Sequence, residues 1–104
     1  MALHYDRGQH LHHIVDVLHP EATWANTPLK KKWIQSKRDF PDHIVFAQNG
    51  KFFEFYHEDA DVVTRVVGSP YMTGEVAMTG FPLCCYSEFV DTLKREGYKG
   101  ICII

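Results

Sequence analysis

The sequence predicts an α/β domain in which a mixed β-sheet is flanked by helices, and three observations carry that prediction. The first is a hairpin signal. Gln48-Asn49-Gly50-Lys51 lies between the apolar run His43-Ile44-Val45-Phe46-Ala47 and the aromatic run Phe52-Phe53-Glu54-Phe55-Tyr56. Asn-Gly is the strongest short-range mark of a tight hairpin, because a type I′ turn asks two successive residues for positive φ and these two tolerate it. The second is helical periodicity on both sides of the hairpin. Leu29, Trp33 and Ile34 precede it, and Val62, Val63, Val66 and Val67, then Tyr86, Phe89, Val90 and Leu93, follow it. Apolar residues at this spacing line one face of a helix. The third is a pair of short apolar runs, Val76-Ala77-Met78-Thr79 and Tyr98 to Ile104, set between and after the helical stretches. Strands that alternate with helices bury themselves as a sheet under a helical layer.

Residues 1–26 read as an N-terminal extension, helical or irregular, and 27–104 as one domain. The extension holds five of the seven histidines: His4, His10, His12, His13 and His19. Leu11, Ile14, Val15 and Leu18 recur at helical spacing there, and His19-Pro20 ends the pattern. Thr27 then caps a helix with Pro28 at its first position. That helix carries Lys30, Lys31, Lys32, Lys37 and Arg38, the one strongly basic stretch, which is a solvated face or a site that attracts phosphate. Asp39-Phe40-Pro41-Asp42 stops it. After the hairpin, Glu58, Asp59 and Asp61 place acids in the first turn of a helix that Gly68 ends. The stretch 69–75 is irregular, 76–79 a short strand, and Gly80-Phe81-Pro82 a turn. A helix from Tyr86 to a Gly97 cap leads to a buried strand, Tyr98 to Ile104. The apolar ending, with no polar tail, has the look of a domain cut from a longer chain.

Composition excludes several classes. A formal charge of -2 over 104 residues does not suit a protein that coats nucleic acid by bulk electrostatics, so any such contact must be local. Three cysteines, Cys84, Cys85 and Cys102, an odd number with two adjacent, suit free thiols in a reducing compartment better than a disulfide framework. No apolar run reaches membrane-spanning length, and the start of the chain lacks a signal-peptide pattern; a soluble, unsecreted protein is expected. Catalytic signatures are missing: no phosphate-cradling glycine loop with its lysine, no Gly-x-Ser-x-Gly, no paired Cys and His at family spacing. The chain is therefore not expected to be an enzyme. A thiol site at Cys84-Cys85 or a metal held by His10 and His13 would need partners the sequence does not supply, and no metal or cofactor is expected.

Alternation along the second strand puts Phe53 and Phe55 on one face and Phe52, Glu54 and Tyr56 on the other. A carboxylate resists burial unless paired, so the Glu54 face is expected to be the exposed one. An aromatic and an acid then project together from a hairpin tip. Apolar wedges enter the minor groove and unstack a base step at a cost of a few kcal/mol, which favours sites that are already weak. A mispaired base yields more cheaply than a paired one, so deformability becomes selectivity. The competing reading is a Phe52 that meets another protein domain.

Five stretches in one order resemble the N-terminal mismatch-recognition domain, domain I, of the MutS family of DNA mismatch repair proteins. They are Thr27-Pro28, Phe40-Pro41-Asp42, Gly50-Lys51-Phe52-Phe53-Glu54-Phe55-Tyr56-His57-Glu58-Asp59-Ala60, Met78-Thr79-Gly80-Phe81-Pro82 and Gly97-Tyr98-Lys99. The central motif is similar to that of the mismatch-binding subunit of eukaryotic MutSα, and residues 1–26 fall outside the resemblance. The resemblance implies that Phe52 stacks on a mispaired base from the minor groove and that Glu54 hydrogen-bonds it. It implies further that Lys51 and Asn49 approach the DNA backbone, and that Met72 and Met78 lie in loops near the same groove. Phe53 stands where relatives usually have tyrosine, and Glu88 and Thr73 stand where some relatives are basic. The implied partners are duplex DNA with mismatches or small loops and a second MutS-homologue subunit, with no membrane. ATP and Mg belong to the ATPase domain of full-length relatives, and no cofactor is implied for this chain. The implied location is nuclear, or mitochondrial or bacterial cytoplasmic by relative. A protein-interaction or scaffold domain of the same fold, without DNA contact, is the alternative that the net negative charge leaves open.

Overall fold

Thr27 begins the first helix: its hydroxyl accepts the Lys30 backbone N–H at 3.2 Å, and Pro28 follows at the first helical position. Both devices satisfy or remove N–H groups that a helix start leaves without partners. The computed structural model describes residues 18–104. The helix expected over Leu11 to Leu18 and the histidines His4, His10, His12 and His13 lie outside the described residues, save Leu18 itself. The elements are α1 (Pro28–Asp39), β1 (His43–Asn49), β2 (Phe52–Tyr56), α2 (His57–Val67), β3 (Tyr71–Met72), β4 (Met78–Pro82), a 3₁₀ turn (Leu83–Cys85), α3 (Tyr86–Arg95) and β5 (Lys99–Ile103). The sheet order is β3-β4-β2-β1-β5. β2 runs antiparallel to β1 and β4, and β5 parallel to β1, so the sheet is mixed, as expected.

The turn sits one residue later than the Asn-Gly signal implies. Asn49 still pairs with Phe52, so the two turn residues are Gly50 and Lys51. Only Gly50 there has positive φ, 62°, which matches the type II′ pattern with glycine first. That pattern asks nothing unusual of Asn49, whose side chain is released to project from the sheet. β2 passes into α2 without a loop, through His57 at φ 54°, and Gly68 closes α2 in the left-handed conformation at φ 82°.

Two further expectations are corrected. Gly80-Phe81-Pro82 is strand, not turn, and Phe81 is 2% exposed in the core. Leu83 N–H donates to the Lys51 carbonyl at 2.9 Å, so Phe52 and Pro82 form a pair whose own amides do not bond each other. A proline there forfeits no ladder bond. β5, expected as a buried strand, is the sheet's edge: Ile101 and Ile103 are half-buried while Cys102 is exposed. Cys84, Cys85 and Cys102 form no disulfide.

Helices cover both faces of the sheet. On one, Ile44, Phe46, Phe53, Phe55 and Phe81 pack with Ala60 and Val63 of α2 and Leu93 of α3. Its rings meet edge to face, Phe46 on Phe55 at 5.0 Å and Phe81 on Phe89 at 4.8 Å. On the other, Val45, Ala47 and Tyr56 pack with Trp33 and Ile34 of α1 and with Trp24 and Ala25. Tyr56, expected on an exposed face, is 1% exposed for this reason.

Lys37, expected among the basic residues of α1, is 3% exposed. Its ammonium donates to Asp59 Oδ1 at 2.9 Å and to the His43 carbonyl at 2.6 Å, and the other Asp59 oxygen accepts the Val45 N–H at 3.0 Å. Burial pushes the Asp59 carboxyl up to about 6, against the opposing pull of Lys37. An acid whose folded value lies above its unfolded one contributes stability that is complete below the unfolded value and lost as pH rises through the folded value. A carbon-detected NMR titration should therefore place Asp59 near 6. Urea unfolding should show stability falling between pH 4 and 6 by up to about 3 kcal/mol from this group. Asp59→Asn, which cannot titrate, should lose that step, with Glu58 at 3.7 Å the carboxylate that remains beside Lys37.

Candidate nucleic-acid interface

Cross-strand partners in a sheet share a face, so the register decides which candidate residues meet. Asn49 pairs with Phe52, Ala47 with Glu54, Glu54 with Gly80, Tyr56 with Met78, and Met78 with Met72. Asn49, Phe52, Glu54, Met78 and Met72 therefore belong to one face, the face that α1 covers only in part. Met72, which lies in the stretch expected to be irregular, is a strand residue on β3, and Met78, read from the pattern as strand and from the resemblance as loop, begins β4. Phe52 is 49% and Met72 42% exposed at the uncovered end, where Lys51 stands exposed at the tip of the hairpin. Glu54 and Met78 are half-buried.

Glu54 is not a loose surface acid. Its Oε1 accepts the Tyr56 hydroxyl at 2.7 Å, and its Oε2 accepts the Asn49 side-chain amide at 3.0 Å. Asn49 therefore turns toward Glu54. The Tyr56 hydroxyl is pushed well above the ordinary tyrosine range, first by burial and then by its bond to Glu54, so it stays a neutral donor. Opposite Glu54 the strand carries Gly80, where an added Cβ would lie 2.6 Å from the Phe53 carbonyl oxygen and 3.3 Å from Met72 Cε. The small residue keeps β4 close to β2 and leaves the space over Glu54 clear.

An open groove of about 500 Å³ runs between the hairpin and the start of α1, with Lys30, Lys32, Asn49, Glu54, Tyr56 and Met78 among its lining residues. The basic side chains of the site are thus Lys51 at the hairpin tip and Lys30 and Lys32 of α1, and the buried Lys37 is excluded. Glu88 is exposed on α3, in the layer behind the sheet, so its charge is not on the Phe52 face. Among the described residues, no group of three or more His, Cys, Asp or Glu could hold a metal. The Cys85 thiol is shifted up, by desolvation first and then by Cys84, the opposite of an activated nucleophile.

Sequence reasoning missed two members of this site, Tyr56 and Gly80. The signal for Tyr56 was its place two residues beyond Glu54 on the same face, with a hydroxyl that burial would force to find a partner. Gly80 had no such signal, because glycine between threonine and phenylalanine reads equally as a turn.

The family model described as MutS domain I matches residues 27–103. The chain is similar to the probable DNA mismatch repair protein Msh6 of Drosophila melanogaster, at 35% identity over 95 residues, which is 89% of this chain and 8% of that protein. It is similar to the DNA mismatch repair protein Msh6 of Homo sapiens at 37% over 73 residues, 70% of this chain and 5% of that protein. It is also similar to the DNA mismatch repair protein MutS of Thermodesulfovibrio yellowstonii at 31% over 79 residues, 70% of this chain and 9% of that one. The chain spans less than a tenth of the length of these relatives.

The close approach at Gly80 is checked by Gly80→Ala. The β4 backbone must shift to admit the methyl group, so the melting temperature followed by circular dichroism should fall, by an amount equivalent to about 1–3 kcal/mol. An unchanged melting curve would mean that β2 and β4 are not held this close.

Proposed function

Because this chain belongs to the MutS domain I family, we propose that it is the mismatch-recognition module of a DNA mismatch repair protein. Phe52 is the wedge that enters at a mispaired base from the minor groove, and Glu54 accepts a hydrogen bond from that base. The observation that carries this reading is the face at the hairpin tip that the other described residues leave uncovered, where a half-exposed phenylalanine stands beside a carboxylate held ready to accept. The surface also fits the weak overall charge. With a formal charge of -2, attraction to phosphate must come from a few side chains, and Lys30 and Lys32 line the groove on this face with Lys51 exposed at the hairpin tip. Met72 and Met78 extend its apolar part along the duplex.

The module binds and does not catalyse. The family model that matches is domain I, which is not the ATPase domain, so ATP, Mg and the second MutS-homologue subunit are assigned to the rest of a longer protein. In a eukaryote such a protein works in the nucleus. Trp24 and Ala25, which precede the residues the family model matches, pack into the core of this module.

Fluorescence anisotropy with a short duplex carrying one G·T mismatch, beside the matched duplex, tests this at two salt concentrations. The 104-residue chain should bind the mismatched duplex more tightly, and both affinities should fall with salt. Phe52→Ala should lose roughly tenfold or more on the mismatch, from stacking worth about 1–3 kcal/mol per base, and keep its melting temperature. Equal, salt-dependent binding to both duplexes would remove mismatch discrimination from this chain. No binding at all would favour the interaction-domain reading.

A further inference from the structure

A glutamate side chain on a sheet surface ordinarily samples many rotamers, and the entropy of ordering it is charged against any contact it makes. Glu54 departs from that case. Both carboxylate oxygens are engaged within the chain, Oε1 by Tyr56 at 2.7 Å and Oε2 by Asn49 at 3.0 Å. The two donors differ in how firmly they are themselves held. Asn49 is exposed at the end of β1. The Tyr56 ring is 1% exposed and is packed against Trp24 at 5.5 Å and Trp33 at 5.7 Å between ring centroids. Its hydroxyl donates to Glu54 at the groove between the hairpin and α1 that both residues line.

We propose that Tyr56 is a positioning residue for Glu54, with Asn49 as its weaker partner, and that burial of the tyrosine ring fixes the direction in which the carboxylate meets DNA. The proposal rests on the reading of Glu54 as the base contact. An ionised carboxylate offers about four lone-pair sites. Tyr56 and Asn49 take one on each oxygen, and the remaining sites are left for a donor that arrives from the open side. A ligand that presents an N–H is thereby accepted without reorganisation, and one that presents a second acceptor meets lone pairs that cannot turn away. The ordering is complete before DNA arrives, because all three side chains belong to one face of one hairpin and its covering layer. Tyr56 thus acts through Glu54 and need not touch DNA.

Tyr56→Phe tests this with little risk to the fold, since the ring and its tryptophan contacts remain and the oxygen left without its donor is on a half-buried side chain that can reach water. In the DNA-free chain, NMR χ1 couplings of Glu54 should report one rotamer in the wild type and averaging in Tyr56→Phe. Preference for the G·T duplex over the matched duplex should fall about tenfold, the scale of a hydrogen bond to a charged group. The same substitution in a Glu54→Ala background should cause no further loss. Glu54 couplings that do not change in Tyr56→Phe overturn the proposal, as does a loss of preference that persists without Glu54. A wild-type chain with no mismatch preference refutes the function proposed above, and the couplings alone then decide the positioning role.

Discussion

A buried lysine can be kept only if its charge is answered, and that requirement ties this fold together. Lys37 leaves α1 and meets Asp59 of α2, while the same pair engages the β1 backbone at His43 and Val45. α1 packs on one face of the sheet and α2 on the other, so Lys37, paired with Asp59 at 2.9 Å and Glu58 at 3.7 Å, joins both helical layers to the central hairpin. Two charges in a dry interior favour the one geometry that pairs them and penalise its neighbours. The pair therefore acts on placement. With α1 seated over β1 and β2, Trp33 closes on Tyr56, whose hydroxyl donates to Glu54. Charge pairing at one end of the sheet and carboxylate orientation at the other are consecutive consequences of where α1 lies.

The same placement explains why the proposed DNA surface is small and where it is. Cover by α1 and by Trp24 reaches Tyr56 and Val45 but not Phe52, Pro82 or Met72, so the sheet is dry at one end and open at the other. β3 contributes two residues, and among the described residues β4 beyond Met78 and Thr79 has no strand on its outer side, which leaves Phe52 half-exposed there. An interface built on one aromatic, one oriented carboxylate and a few lysines does not need a basic protein. On the proposed reading, what it senses is stacking strength and hydrogen-bond polarity, both properties of a local base step.

Much of this was legible in local patterns. The Thr27-Pro28 helix start, the Gly68 and Gly97 stops, the existence of the hairpin and the assignment of Phe53 and Phe55 to one face rest on interactions within a few residues, and the structure keeps them. The errors have the opposite character. Tyr56 was placed with the exposed side chains because alternation tells which residues share a face and says nothing of how far a helix from elsewhere in the chain extends over it. Phe81 was lost to a turn because glycine and proline punctuate loops, and only pairing with β2 reveals that the proline amide lies where no bond was due. Lys37 was counted with its basic neighbours because its partner, Asp59, lies on another helix.

By itself, then, the amino-acid order decided the element types, the hairpin and the family, since caps, turn residues, periodicity and a motif are all short-range quantities. Tertiary structure alone decided that Lys37 is a buried pin, that Gly80 must be small, and that Asn49 and Tyr56 converge on Glu54. Each of those depends on distances between residues of different elements, and such distances are set by how the layers pack, after the elements exist.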